Sequence, residues 1–467
     1  MAQFTKANSL HEWLDQRLAI DKLWKVLAAE YWIPKNINFL WAMGVVLMTM
    51  FTILVISGIF LLMYYKPDTK LAFDSVNYTI MQEVWFGWLW RHMHAVAASV
   101  VFLVIYIHMF TGIYYASYKR GREMIWISGM LLFVTFSAEA FSGYMLPWGQ
   151  MSYWAAQVIT NLFGGIPFIG DELVIWIRGN FYVSDPTLTR FFMLHVLLMP
   201  LIIMAIIGLH FYSLRIPHVN NQDGEEIDFD AEAEKYKAGL KKEAKVIPFW
   251  PVFLSKDFFV LGVFMIFYFY LVFYHYNFAM DPINFDPADP MKTPPHIYPE
   301  WYFLWSYEVL RGFFFNVGPL SAMDMGLIAF GIANVIFFAL PWFDKNDEVA
   351  PASRRSGGFA IWFWLLVADM IILTIWGKLP PTGFNAYIGY VAAVGFLALF
   401  AALPAITAHK KKLLMFVIGI TLALFVAGYL EYAKILGNGF IIVALFVIFY
   451  ALFFLSPVMV KNRGGAQ

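Results

Sequence analysis

The sequence predicts an all-α fold, a polytopic membrane helix bundle of about ten transmembrane helices. Three observations carry that expectation. Of the 467 residues, 61% are hydrophobic and only 14% charged, against about 25% charged in a soluble domain. Apolar runs of roughly 20 residues, enough to cross a hydrocarbon layer of about 30 Å, recur along the chain. The basic residues between those runs fall mostly on one side. Lys plus Arg equals Asp plus Glu at 32 each, so no basic excess points to nucleic acid. The apolar content also excludes a disordered chain. Cys is absent. The chain can therefore hold no disulfide, no thiolate zinc or iron–sulfur site and no covalent c-type haem. Any metal must be held by His, Met or carboxylate.

Ten spans are expected at 39–64, 90–117, 124–146, 190–214, 256–279, 321–342, 358–377, 386–408, 412–430 and 438–459. No short apolar segment with a cleavage site precedes the first, so a cleaved signal peptide is not expected. A cytoplasmic N-terminus puts 23 of the 32 Lys and Arg on the cytoplasmic side, the asymmetry that orients membrane proteins. An even number of spans leaves both termini there. Residues 10–30 alternate Trp13, Leu14, Leu18 and Leu27 with Glu12, Asp15, Arg17 and Lys25. They read as an amphipathic helix on the membrane surface. Residues 216–247 are the most polar stretch and read as a solvated linker. The expected organisation is a surface helix (1–38), a four-helix bundle (39–215), a cytoplasmic linker (216–255), a second helical unit (256–410), and an extra hairpin with a tail (411–467). No sequence repeat relates the halves, which gives little support to an inverted-repeat transporter.

Span two carries His94 and His108, fourteen residues apart, and span four carries His195 and His210, fifteen apart. Fourteen residues are about 3.9 turns and about 21 Å, so the first two fall within about 40° of one face. His92 falls on another face. Ionisable residues inside a membrane default to function. Two imidazoles at each of two depths suit six-coordinate haem iron, and hydrogen bonding between helices is the alternative. Gly44 and Gly58 in span one, and Gly129 and Gly143 in span three, repeat the fourteen-residue interval. A missing side chain lets a flat macrocycle approach the backbone, and close helix packing is the alternative. The extra residue between His195 and His210 would rotate the second ligand by about 100°. A wide turn near Pro200 is expected to absorb it.

These residues resemble cytochrome b, the quinol-oxidising core of the bc-type (quinol–cytochrome c reductase) complex. The resemblance runs from about residue 10 to 408. It is carried by RHMHA and IH in span two, GYMLPWGQMSYW after span three, TLTRFFMLH entering span four and PPHIYPEWYFL before span six. It implies a four-helix di-haem bundle with two non-covalent b-type haems. His94 and His195 would ligate the low-potential haem near the outer face, and His108 and His210 the high-potential haem near the cytoplasmic face. Arg91 would meet a propionate. It implies quinol oxidation at an outer site, with one electron passing to a Rieske iron–sulfur protein and one across the b haems. Quinone is reduced at an inner site, and the cycle contributes to the proton gradient. Partners would be the Rieske protein, a c-type cytochrome subunit and a second copy of the complex, in the cytoplasmic membrane of a bacterium.

By the same resemblance, Glu300 in PEWY accepts a quinol proton, and Tyr144 and Tyr302 wall the pocket. Pro147 and Trp148 would belong to a short helix capping it. Ala155 stands where many relatives have Gly and is expected to narrow that pocket. At the inner site Lys256 and Asp257 match a proton-supplying pair. Arg215 and His218 both compete for quinone contact. His296 is expected to hold its loop. Glu139, where relatives commonly have an uncharged residue, either serves a proton path or is satisfied by a neighbour. The last two spans lie beyond the eight-helix pattern. A di-haem membrane anchor would not need PEWY, and a transporter without cofactor would not need four histidines at this spacing.

Overall fold

The computed structural model describes residues 7–434. Among them, nine helices are long and apolar enough to cross a membrane. They are Phe39–Leu62, Gly87–Tyr114, Glu123–Met145, Asp185–Arg215, Phe249–Tyr274, Ala322–Phe343, Phe359–Gly377, Phe384–Thr407 and Lys411–Tyr432. All nine overlap the expected runs. The fifth begins earlier than expected, because a turn at Phe249–Phe253, with Trp250 extended, precedes the regular helix Leu254–Tyr274. The expected tenth span, 438–459, lies outside the described residues.

A helix is the form that satisfies every backbone group without water. Polar side chains inside the spans follow the same rule. The hydroxyls of Thr49, Thr111 and Thr135 each donate to the carbonyl four residues back, at 2.9, 2.7 and 2.7 Å. Span one packs along span two, and span three along span four. Val96, Ala97, Val100, Val101 and Val104 of span two are nearly inaccessible. In the second half, the short helix Leu304–Arg311 packs against spans six to eight. Phe337, Trp362, Phe396 and Phe400 form the core there. Span nine packs on span eight, where Tyr387 stacks on Tyr432 at 5.9 Å between ring centres.

Three expectations need correction. Residues 10–30 are not one helix: Leu10–Leu18 ends at Ala19, whose φ is 50°, and Ile20–Trp24 follows with a wide turn at Lys25–Ala29. Residues 216–247 are more than a solvated linker. They hold the helix Phe229–Lys237 and a strand, Val246–Pro248, paired antiparallel with Trp32–Pro34. Tyr31, Ile33, Ile247 and Phe253 make a small separate core there, built from apolar residues scattered among the charges. Pro147 and Trp148 form a connecting turn, and the helix after span three is Gln150–Leu162.

The two halves are tied at one end by a buried ionic knot after span six. The Asp344 carboxylate accepts from Tyr118 at 2.6 Å and from Arg355 at 2.6 Å. Lys119 stands 3.2 Å from the same oxygen and donates to the Asp344 carbonyl at 2.8 Å. Removing one member of a buried pair leaves a desolvated charge, at a cost of about 3–5 kcal/mol. Asp344→Ala should therefore lower the thermal unfolding midpoint of the detergent-solubilised protein clearly, and Glu226→Ala, which removes an exposed partner of Arg120, should not.

Candidate functional site

The four membrane histidines come together as two pairs. The ring centres of His94 and His195 stand 6.1 Å apart, and those of His108 and His210 stand 6.4 Å apart. That separation would leave room for a metal ion held by one nitrogen of each ring, at about 2 Å per metal–imidazole bond. It is too long for a direct hydrogen bond between the rings. His92 points elsewhere, stacked on Tyr276 with ring centres 3.6 Å apart.

Glycines position these rings. A Cβ on Gly58 would lie 3.3 Å from His94, and one on Gly129 would lie 3.3 Å from His210. A Cβ on Gly143 would collide with His195. Gly44 differs, because a Cβ there would meet nothing within 4 Å. The imidazoles lie in the grooves so opened. His94 reaches the Leu54 carbonyl and His210 the Ile125 carbonyl, each four residues before its glycine. The Ser57 hydroxyl donates to Ile53 at 2.6 Å, which leaves its oxygen to accept from Nδ1 of His94 at 3.0 Å. Ser128 donates to Met124 at 2.7 Å and accepts from Nδ1 of His210 at 3.0 Å. With Nδ1 committed, Nε2 of each ring is the nitrogen left to bind a metal. His195 gives Nδ1 to the Glu139 carbonyl at 3.1 Å, with the Glu139 carboxylate also 3.1 Å away. Ser57 and Ser128 were not anticipated from sequence, although each directly precedes its glycine.

The fifteen-residue interval is absorbed by a wide turn at Leu194–Leu198, in which Met199 donates to the Leu194 carbonyl, between the helical segments Asp185–Met193 and Met199–Arg215. The turn sits at His195 itself, just ahead of Pro200.

One largely apolar cavity runs from the His94–His195 pair to the PEWY segment. Arg91, Gly58, Glu139, Gly143, Tyr144, Glu300 and Tyr302 all line it. Ala155 is buried but is not among its lining residues. The segment is firmly held. Trp301 donates to Ser99 at 2.7 Å, Tyr302 stacks on Phe102 with ring centres 4.0 Å apart, and Tyr106 donates to the Tyr302 carbonyl at 2.5 Å. Arg311 binds Glu308 at 2.6 Å and His296 at 3.2 Å, and donates to the carbonyls of Trp376 and Leu379 at 2.6 Å each. His296 thus ties its loop to the chain. Glu300 is hydrogen-bonded to Tyr144, and burial, reinforced by Asp281, pushes its carboxyl up to about 8. Neither Asp281 nor Lys378, the nearby cation, was singled out from sequence.

At the opposite end of the bundle, Arg215 lies over the Tyr31 ring at 3.7 Å. The His218 ring is stacked on Tyr31 at 5.5 Å and on Phe229 at 4.1 Å. Burial lowers the pKa of His218, and its Nδ1 is buried without a hydrogen bond. Asp257 is buried and Lys256 exposed.

Residues 28–217 match the family model for cytochrome b/b6/petB, and residues 287–397 that for cytochrome b (C-terminal)/b6/petD. The cytochrome b of Rickettsia conorii is 41% identical over 415 residues, 87% of this chain and 96% of that protein. That of Allochromatium vinosum is 37% identical, over 85% of this chain and 95% of that protein. A solved structure described as a hyperthermophilic respiratory Complex III superposes with a TM-score of 0.77 at 37% identity, covering 86% of this chain and 99% of that one. With matching models over both halves, relatives spanning nearly their whole length and paired histidines in a glycine-lined bundle, the chain belongs to the cytochrome b family.

Proposed function

We propose that this chain is the transmembrane electron-transfer subunit of a bacterial quinol–cytochrome c oxidoreductase, binding two b-type haems and oxidising quinol beside Glu300. The observation that carries this reading is the shared cavity, which joins one histidine pair to Glu300 and Tyr144. His94 with His195, and His108 with His210, would hold the two haems, and Arg91 would meet a propionate of the first. Gly58, Gly129 and Gly143 would admit the ring faces, and Gly44 would border the second haem. When bound, the haems supply a one-electron path across the bilayer.

Quinol would enter the apolar cavity on the outer side and stack among its aromatic walls. Glu300 would accept one hydroxyl proton as general base, with Tyr144 holding the carboxyl and Tyr302 packing the wall behind it. One electron would leave to a Rieske iron–sulfur protein and the other would enter the bundle. This chain has no Cys, so the iron–sulfur centre and the c-type haem belong to partner subunits, in a complex expected to be a homodimer. At the cytoplasmic end, quinone would be reduced near Arg215 and His218, with Asp257 and Lys256 delivering protons. Both termini would be cytoplasmic, so the cycle releases protons outside and takes them up inside.

The raised pKa of Glu300 has a definite sign. Below pH about 8 the carboxyl is mostly protonated and cannot accept a proton; above it, the carboxylate can. Quinol oxidation by the purified complex should therefore rise with pH through an inflection near 8. Glu300→Gln should slow turnover by about 10²-fold or more and remove that inflection while both b-type absorbances remain. Unchanged turnover would refute the role. Gly143→Val should remove the haem of the His94–His195 pair and leave the other, read as the loss of one b-type component in the redox difference spectrum.

A further inference from the structure

Three of the four membrane histidines can be compared at their Nδ1 atoms. His94 and His210 each meet a serine hydroxyl, of Ser57 and Ser128, at 3.0 Å. His195 lies against Gly143 in the same way, and the preceding residue is again a serine. Ser142 donates to the carbonyl three residues back, of Glu139, at 2.8 Å, as Ser57 and Ser128 do to Leu54 and Ile125, but the neighbour at Nδ1 of His195 differs. Nδ1 of His195 meets the Glu139 carbonyl at 3.1 Å, the counterpart of the Leu54 and Ile125 carbonyls, and Oε1 of Glu139 stands 3.1 Å from the same nitrogen, where the other two rings have a hydroxyl. Both side chains are mostly buried, with 16% of His195 and 18% of Glu139 exposed. The second carboxyl oxygen, Oε2, is buried without a hydrogen bond. One histidine of the bundle thus rests on an acid where two others rest on alcohols.

The difference has a chemical consequence. A carboxylate is a stronger acceptor than a hydroxyl. A carboxylate that receives the second ring N–H of a metal-bound histidine fixes its orientation and raises its basicity as a ligand. Negative charge held close in a poorly screened interior also favours the more positive oxidation state of the metal. We propose that Glu139 is a positioning residue for the His94–His195 haem. It locks the His195 ring through Nδ1 and lowers the reduction potential of that haem relative to the one held by His108 and His210. Glu139 thereby steepens the downhill step for an electron that enters beside Glu300 and crosses to the other pair. The inference rests on the di-haem reading above and adds a residue to it.

The test is a redox titration of the purified complex, resolving the two b-type components in wild type and in Glu139→Gln. Gln keeps the size and the acceptor and removes the charge. The potential of the His94–His195 haem should rise and that of the other stay put. The equilibrium constant for electron transfer between them should fall about tenfold, which is about 59 mV for a one-electron couple. Glu139→Ala should move the same component in the same direction. In wild type, redox-induced infrared difference spectra should contain a carboxylate band that responds to reduction of that haem only, and this band decides the matter if the variants do not assemble. A wild-type complex without two b-type components would overturn the di-haem reading itself. Two components with an unmoved potential in Glu139→Gln, or a wild-type spectrum without that carboxylate band, would overturn the role of Glu139 alone.

Discussion

The contact between an imidazole and a helix that lacks a side chain at the point of approach underlies the rest of the bundle. In a membrane interior the backbone must close its own hydrogen bonds, so spans one and three cannot loosen to admit a ring. They admit it by omitting Cβ at Gly58, Gly129 and Gly143. Once the ring lies in that groove, its Nδ1 meets a carbonyl one turn earlier and, for two of the rings, the hydroxyl of the residue just before the glycine. The orientation of each ring, and which of its nitrogens stays free to meet a metal, would follow from that groove and the acceptors beside it. The pairing of span one with two and of three with four is the large-scale form of the same contact.

Much of this was legible in the sequence because membrane helices make spacing equivalent to geometry. An interval of fourteen residues translates directly into depth and face, so His94 and His108 could be assigned to one side and His92 to another. Glu300 stood out only through the PEWY resemblance, since an acid in an aromatic, proline-rich loop would by itself read as an exposed loop residue. The hydrophobic runs located nine helices among the described residues without ambiguity of type.

What escaped the sequence is contact that spacing does not encode. Ser57 and Ser128 are ordinary residues until their glycines are known to face a ring. Asp281 lies 19 residues before Glu300, and only the folding back of the loop lets it influence that carboxyl. The polar segment 216–247 concealed a strand whose partner, Trp32–Pro34, is more than 200 residues earlier. Its charges dominate the composition, while a few apolar residues decide the packing. Gly44 shows the converse: it shares the interval but touches no ring, since a periodic glycine marks room and not contact.

The wide turn at Leu194–Leu198 also bears on how such chains compare with one another. It confines a one-residue change of helical phase to a single turn, so the segments on either side keep the faces they would have in an uninterrupted span. Insertions and deletions within a buried helix normally rotate everything that follows. Here the fold has a place where chain length can change by one without misaiming His210. An alignment of this span with one whose two histidines stand fourteen apart therefore belongs with its single gap just after His195, within the wide turn, and a gap placed further along would pair side chains that face different neighbours.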